Sequence, residues 1–257
     1  MALAMHDGHD VRDELMPFMA LTDAERLREE DPHTAVWSTV VPTRVVVHRS
    51  RFEVDMNRER DKAIYHTPAD AWGLNVWREP PPRAMIDRTM AEYDEFYGAV
   101  GKLLDEKIDE LGLVIVLDIH TYNHRRGGPD APFDDPVANP DVNVGTGALD
   151  RDYFAPIVDR FIRDMSVEKV GGKVLDVREN VRFRGGHMTR WLCARRPRNV
   201  CPLALEFKKI FMNEWTGVPD PAAVEQIRVA LSRTIPGLIE ERNRLAEKAA
   251  DAPRRRR

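Results

Sequence analysis

The sequence predicts an α/β fold, a three-layer sandwich in which helices cover both faces of a mostly parallel, mixed sheet. Short apolar runs rich in β-branched residues, such as 113–120, alternate with segments of helical apolar spacing, such as 89–111. A chain of 257 residues, 42% hydrophobic and 32% charged, can bury a large core. We therefore expect one domain over residues 1–250 and a basic, disordered tail over 251–257.

The first half of the chain predicts four elements. Residues 1–6 are typical of a short strand, 10–30 of a helix, and 43–56 of one long strand or a strand pair. The clearest helix covers 89–111, and Gly112 ends it. A buried strand follows directly at 113–120.

The second half begins with a long loop over 124–149, rich in Pro, Gly, Asp and Asn. Loops of that length are often functional. We expect a helix over 151–165, strands near 173–179 and 202–208, and a last helix over about 220–249 that is bent or broken at Pro236.

Composition excludes several classes of protein. The formal net charge of -4 gives no reason to expect nucleic acid or membrane partners, and the arginines at 254–257 are typical of a solvated end. Cys193 and Cys201 lack the spacing of a metal knuckle and indicate a reducing compartment. No signal peptide and no spanning segment is visible, so we expect a cytoplasmic protein.

The strand at 113–120 ends in an unusual number of polar residues. Asp118, His120 and Asn123 are followed by arginines and a glycine pair. Ligands of open α/β sheets bind beyond the carboxyl ends of the strands, which favours an active-site wall here. His120 would be a metal ligand that Asp118 could orient; the alternative is a structural histidine.

Three further polar clusters fall at expected strand ends. Gly8 allows a turn that aims His6 at a site, although exposed loop histidines are common. Asn57 beside Arg58 suits a carboxylate, and the alternative is an Asp55–Arg ion pair with a capping Asn. Glu206 is an acid in an apolar strand, where it is either a general base or a core acid bonded to a neighbouring lysine.

These clusters, in this order, resemble the N-formylglutamate amidohydrolase (N-formylglutamate deformylase) family, which is distantly similar to zinc carboxypeptidases and aspartoacylases. The resemblance spans roughly residues 2–217. The motifs that carry it are His6-Asp-Gly, Glu30-Asp31, Ser50-Arg-Phe-Glu-Val-Asp-Met-Asn-Arg58, Asp118-Ile-His120, Asn143-Val-Gly-Thr146, Arg184-Gly-Gly-His187, Leu205-Glu206 and Met212-Asn-Glu214.

The resemblance implies a phosphorylase/hydrolase-like sheet and one zinc ion that activates water for hydrolysis of a small N-acyl acidic amino acid such as N-formylglutamate. The alternatives are a carboxypeptidase- or aspartoacylase-like deacylase, and a silent ligand-binding protein. The implied ligands are His6, Asp31 and His120, with His9 as the alternative to the acid. The implied catalytic residues are Glu206 as base and Arg51 at the oxyanion, and the substrate-binding residues are Asn57, Arg58, Arg184, Gly186 and Asn123.

Overall fold

A computed structural model describes residues 1–251 of the chain, and side chains through residue 248. The tail expected at 251–257 lies outside the described residues, apart from the helical backbone of Asp251. None of the helices in the described part combines the length and hydropathy that a membrane crossing needs.

Within residues 1–251, eight strands form two sheets. In chain order they are β1 (Ala2–Ala4), β2 (Arg44–Val46), β3 (Val114–Tyr122), β4 (Val142–Gly145), β5 (Lys169–Val170), β6 (Lys173–Val174), β7 (Val177–Glu179) and β8 (Val200–Lys208). The main sheet has the order β2-β1-β3-β8-β4-β7, and β5 pairs with β6 separately. Within the main sheet β4 runs antiparallel to β8, and the other neighbours are parallel.

Residues 1–251 contain six α-helices. They are α1 (Asp23–Glu29), α2 (Thr34–Ser38), α3 (Arg83–Leu111), α4 (Ala155–Met165), α5 (His187–Arg195) and α6 (Pro221–Asp251). One apolar core joins α2, α4 and α6 to one face of the sheet, and a second core joins α3 and α5 to the other. The predicted three-layer α/β fold with a mostly parallel, mixed sheet is confirmed.

Alternation along β3 and β8 places the polar residues on one face. Ile119 and Leu205 enter the core beneath α4 and α6, so their neighbours His120 and Glu206 point to the opposite face. His120 lies opposite Glu206 in the register of β3 and β8, and Asn143 of β4 lies opposite Glu206 on its other side. Three central strands thus present a row of polar side chains near the carboxyl ends of β3 and β8.

Several expected elements differ. The helix expected over 10–30 is restricted to α1, because the earlier residues form turns whose apolar side chains pack with Phe52, Tyr65 and Trp77. Residues 51–57, expected as a strand, also form turns. Helix α5 was not predicted. Helix α6 continues through Pro236, because Leu231 and Leu238 on either side are buried in the same core.

A candidate metal centre and active-site cavity

A cavity of about 520 Å³ opens at the carboxyl ends of β3 and β8. Its walls come from the loop after β1, the segment after α1, the turns at 51–72, the loop after β3 and the loop between β7 and α5. This position agrees with the rule for ligand sites in open α/β sheets. The lining residues are His6, Arg28, Glu29, Asp31, Arg51, Asn57, Trp72, His120, Thr121, Tyr122, Asn123, Arg126, Arg182, Phe183, Glu206 and Lys209.

Three buried residues, His6, Asp31 and His120, converge on one wall. One ligand atom from each lies within 4.8 Å of the other two. Asp31 Oδ2 is 3.2 Å from His6 Nδ1 and 3.0 Å from His120 Nδ1. Thr121 donates to the second carboxylate oxygen at 2.9 Å, which fixes the orientation of Asp31. This group could hold a metal ion.

The outer nitrogens of the two imidazoles face other carboxylates. His6 Nε2 is 2.7 Å from Asp55 Oδ1, and His120 Nε2 is 3.0 Å from Asp118 Oδ1. Because an ionised carboxylate only accepts, each ring can donate its Nε2 proton outward to Asp55 or Asp118, and a neutral ring that does so turns its Nδ1 lone pair toward Asp31. Three acceptor atoms that meet in a buried space need a proton or a metal cation between them. The donor set therefore fits a divalent ion.

The pKa shifts within the cluster also support a cation at its centre. Burial by itself would raise the pKa of Asp31, but hydrogen bonds and charge from His120 and His6 hold it well below its ordinary value. Burial would lower the pKa of His120, yet Asp118 and Asp31 outweigh burial and raise it well above the ordinary value. The surrounding carboxylates thus favour positive charge at the centre of the cluster, from a proton or from a metal.

His9, the alternative ligand, lies outside this cluster. Its side chain is 39% exposed, and Nδ1 bonds to Glu30 Oε2 at 2.5 Å. The second nitrogen lies 3.2 Å from Arg26. A Cβ on Gly8 would lie 2.1 Å from the His48 backbone, so this glycine lets the loop after β1 approach the residues after β2.

Glu206 faces the cavity beside His120. It makes no side-chain hydrogen bond among residues 1–248, so the bond to a neighbouring lysine that the core-acid alternative required is absent there. Lys208 instead pairs with Asp141 at 2.6 Å. Burial raises the pKa of the Glu206 carboxyl to about 7, against the lowering effect of His120. A carboxyl with this pKa can both accept and release a proton near neutral pH.

Arg51 and Asn57 both reach the cavity, and both also support its walls. Arg51 pairs with Asp55 at 2.8 Å and packs its guanidinium 4.7 Å from the centre of the Trp72 ring. Asn57 Oδ1 accepts from the backbone N–H of Met188 at 2.9 Å, so Asn57 caps α5 from a distant segment. Its Nδ2 lies 3.3 Å from His120 Nε2.

Arg58 does not line the cavity. Its Nη2 donates to the carbonyl of Asp70 at 3.1 Å, and its Nε lies 3.7 Å from Asp55. The alternative considered from the sequence, an ion pair with Asp55 beside a capping Asn, describes this arrangement better than a carboxylate clamp. The reason is that residues 51–57 turn instead of extending, which points Asn57 and Arg58 in different directions.

The motif Arg184-Gly-Gly-His187 also has a role other than the expected substrate binding. Arg184 is exposed and packs against Gly147, outside the cavity lining. A Cβ on Gly186 would lie 2.4 Å from the Asn57 amide. The glycine therefore admits the side chain of Asn57, where we expected it to admit a ligand.

Four cavity cations were not assigned from the sequence, namely Arg28, Arg126, Arg182 and Lys209. Arg126 pairs with Glu29 at 2.9 Å. Lys209 is 1% exposed and donates to the carbonyls of Arg28 and Glu30 at 2.5 and 2.8 Å. Each of them lies within three residues of a residue that the sequence had assigned to the site, which was the available signal. Asn123, predicted to bind substrate, lines the cavity with an amide oxygen that lacks a partner among the described side chains and backbone.

Comparison with known proteins gives a family and a fold. The profile of the family described as N-formylglutamate amidohydrolase matches residues 2–212. The crystal structure of an N-formylglutamate amidohydrolase from Ralstonia eutropha JMP134 has a TM-score of 0.68, 16% identity, and coverage of 98% of this chain and 93% of its own. A gene product from Agrobacterium tumefaciens has a TM-score of 0.63, 14% identity, and coverage of 93% and 90%. Comparison with curated proteins finds no match.

Proposed function

Because the chain belongs to the N-formylglutamate amidohydrolase family, we propose that it is a cytoplasmic, zinc-dependent hydrolase that cleaves the amide of N-formylglutamate or a closely similar N-acyl acidic amino acid. The observation that carries the proposal is the buried cluster of His6, Asp31 and His120 beside Glu206, at the floor of a cavity rich in cations.

The metal would be held by His6 Nδ1, His120 Nδ1 and one carboxylate oxygen of Asp31. Two imidazoles and a carboxylate suit zinc, and three protein ligands leave a position for water or substrate. Bound there, zinc supplies Lewis acidity, which polarises a carbonyl and makes water more acidic. Asp55 and Asp118 hold the two rings in the orientation that this binding needs.

Glu206 acts as the general base and then as the general acid. It accepts a proton from the attacking water and delivers it to the amide nitrogen as the formyl carbon–nitrogen bond breaks. The products are formate and the free amino acid. The raised pKa of Glu206 and its freedom from hydrogen bonds within the described side chains support both roles.

Arg51 provides a fixed positive charge at the cavity wall. Its pKa is raised well above the ordinary value, because Tyr65, Asp55 and Asp31 outweigh the effect of burial, so the side chain stays charged. A preorganised charge of this kind stabilises an oxyanion that develops during attack. Asn57 and Asn123 add amide groups that can orient the substrate.

The composition of the cavity wall supports an anionic substrate. Five cationic side chains line the cavity, compared with three acidic side chains. One of the three acids is Asp31, which belongs to the metal cluster. An N-acyl acidic amino acid carries two carboxylates and suits this excess of positive charge.

The test is hydrolysis by the purified chain after chelation and after addition of zinc. The panel contains N-formylglutamate, N-acetylglutamate, N-acetylaspartate and a dipeptide, and the control is Glu206→Gln prepared in the same way. We expect zinc-dependent formate release by the unsubstituted chain. Preference for an acetyl substrate would favour a deacylase, preference for the dipeptide a carboxypeptidase, and no hydrolysis by zinc-loaded chain a silent binding protein.

A further inference from the structure

The five cations of the cavity differ in their partners. Arg28 and Arg126 pair with Glu29, and Arg51 pairs with Asp55. Lys209 is enclosed by two backbone carbonyls. Arg182 is the cavity arginine that has no carboxylate partner among the described residues. It is therefore the arginine whose charge is open to a ligand.

The guanidinium of Arg182 also has a free edge. Its Nη1 donates to the amide oxygen of Asn139, but neither Nε nor Nη2 bonds to any other group in residues 1–248. These two nitrogens form the side edge of the guanidinium, whose parallel N–H bonds match the two oxygens of a carboxylate. The guanidinium plane packs near the rings of Tyr122 and Phe183. Its central carbon lies 5.1 Å from the centre of the Tyr122 ring and 5.4 Å from that of Phe183. Both rings help to hold the edge in place.

The backbone of Arg182 is held by Asn143, which belongs to the row of polar side chains on β3, β8 and β4. Asn143 is fully buried, and its Oδ1 accepts from the backbone N–H of Arg182 at 2.8 Å. Its Nδ2 donates to the carbonyl of Phe183 at 2.8 Å. Asn143 is also the residue opposite Glu206 in the sheet. One side chain thus sets the position of Arg182 relative to the proposed general base.

We infer that Arg182 binds the side-chain carboxylate of the substrate through its Nε–Nη2 edge and so determines the preference for an acidic amino acid. This inference rests on the proposed function. The formyl group must lie with His6, His120 and Glu206, which leaves the far end of the amino acid for a cation elsewhere on the cavity wall. Arg182 is the arginine of that wall that no acid among residues 1–248 neutralises.

The experiment compares N-formylglutamate with N-formylglutamine, which differ only in the side-chain charge. The kcat/KM of each is measured for the unsubstituted chain, Arg182→Gln, Arg182→Lys and Arg126→Gln. Arg182→Gln should lower the glutamate-to-glutamine ratio about 10- to 100-fold, because one charge-assisted, bidentate contact is lost. Arg182→Lys should restore part of the ratio, since it keeps the charge and loses the planar edge.

Arg126→Gln is the matched control, because it removes a cavity arginine whose charge already meets Glu29. An equal fall in the ratio for this variant would mean that the overall charge of the cavity selects the substrate, and that a specific contact with Arg182 does not. An unchanged ratio in Arg182→Gln would overturn the inference directly. Circular dichroism and thermal midpoints confirm that each variant is folded.

Calorimetry on chelated protein separates this inference from the proposed reaction. The unsubstituted chain should bind N-formylglutamate more tightly than N-formylglutamine even without metal, and Arg182→Gln should lose that difference. If binding shows the difference and hydrolysis is absent, the proposed reaction fails and the Arg182 site stands. If the unsubstituted chain binds both equally, the Arg182 site is wrong whatever the reaction.

Discussion

At the scale of single residues, the site depends on carboxylates that would not themselves bind the metal. Asp55 and Asp118 are fully buried, and each accepts from the outer nitrogen of one histidine. Without them, the imidazoles could carry their protons on Nδ1 and lose the converging lone pairs. Arg51 and Tyr65 both bond to Asp55, which extends the same support into the cavity wall.

The first prediction concerns metal content. His120→Ala removes one of three ligands, so bound zinc should fall from about one ion per chain to nearly none, as expected for a three-ligand site. His9→Ala should retain its zinc, because His9 bonds to Glu30 outside the cluster. Elemental analysis of both variants after the same dialysis provides the measurement. Full zinc in His120→Ala would contradict His120 as a ligand, and loss of zinc in His9→Ala would show that His9 is one of the ligands.

The second prediction concerns Glu206. Glu206→Gln keeps the shape of the side chain and removes its basicity, so turnover should fall about 100-fold or more. The zinc content should be unchanged, because Glu206 is not among the converging ligand atoms. Steady-state kinetics and metal analysis are done on the same preparation. Near-normal turnover would support the alternative that Glu206 is a core acid and not the general base.

At the scale of elements, α5 joins the two sides of the cavity. Asn57 caps its first turn, and Gly185 and Gly186 allow the loop before it to approach Asn57 and Thr189. Gly185 has a φ of +108°, which favours glycine, whereas Gly186 is extended and is required only by the close contact. A helix that the sequence did not reveal is thus stabilised by a cavity residue.

The third prediction tests this contact. Gly186→Ala would place a Cβ 2.4 Å from the Asn57 amide, so the cap should be lost and stability should fall by about 1–2 kcal/mol. The kcat/KM should fall as well, because Asn57 also faces His120. The matched control is Gly98→Ala, at an exposed position inside α3 with open space around it. That change should stabilise the protein by about 0.5–1 kcal/mol. Urea unfolding measures both, and equal effects would exclude a specific contact at Gly186.

At the scale of the whole molecule, burial of charge links the site to the stability of the fold. Lys209 ties the end of β8 to the segment after α1 through the carbonyls of Arg28 and Glu30. Burial lowers its pKa from 10.5 to about 8, partly offset by Asp31 and other nearby acids. Keeping Lys209 charged at neutral pH therefore lowers the stability of the folded state.

The fourth prediction follows from that pKa. In the unfolded chain Lys209 keeps its proton up to about pH 10.5, so between pH 8 and 10.5 the unfolded state binds more protons and stability rises with pH. The full difference corresponds to roughly 3 kcal/mol. Lys209→Met should remove this rise. Urea unfolding at several pH values compares the slopes of the two proteins, which cancels the titration of other lysines and tyrosines. Identical slopes would mean that Lys209 keeps an ordinary pKa.

The fifth prediction concerns removal of the metal. The three ligands come from the loop after β1, the segment after α1, and β3, so only the folded chain brings them together. Zinc at about 1,000 times its dissociation constant should stabilise the fold by about 4 kcal/mol, and chelation should lower the thermal midpoint accordingly. His120→Ala should show no such response. A midpoint that zinc does not change in the unsubstituted chain would contradict the site.

Local sequence patterns were enough to predict the α/β class, the strand that carries His120, whose end they placed at residue 120 instead of Tyr122, and helix α3, whose start they placed at residue 89 instead of Arg83. These features come from local patterns, since period-two and helical spacing of apolar residues depend only on the chain nearby. The ordered motifs also indicated the family, and with it His6, Asp31, His120 and Glu206. Their meeting at one cavity follows from the parallel order of the central strands.

The directions of the remaining side chains, by contrast, depend on the tertiary structure. Residues 51–57 alternate in polarity as a strand would, but they turn because Phe52 and Tyr65 pack in a core formed with residues 15–21. That turn sends Asn57 to α5 and Arg58 to Asp55. Arg182 faces the cavity because Asn143, distant in sequence, holds its backbone. Such orientations depend on contacts between segments far apart in the chain, which no local spacing specifies.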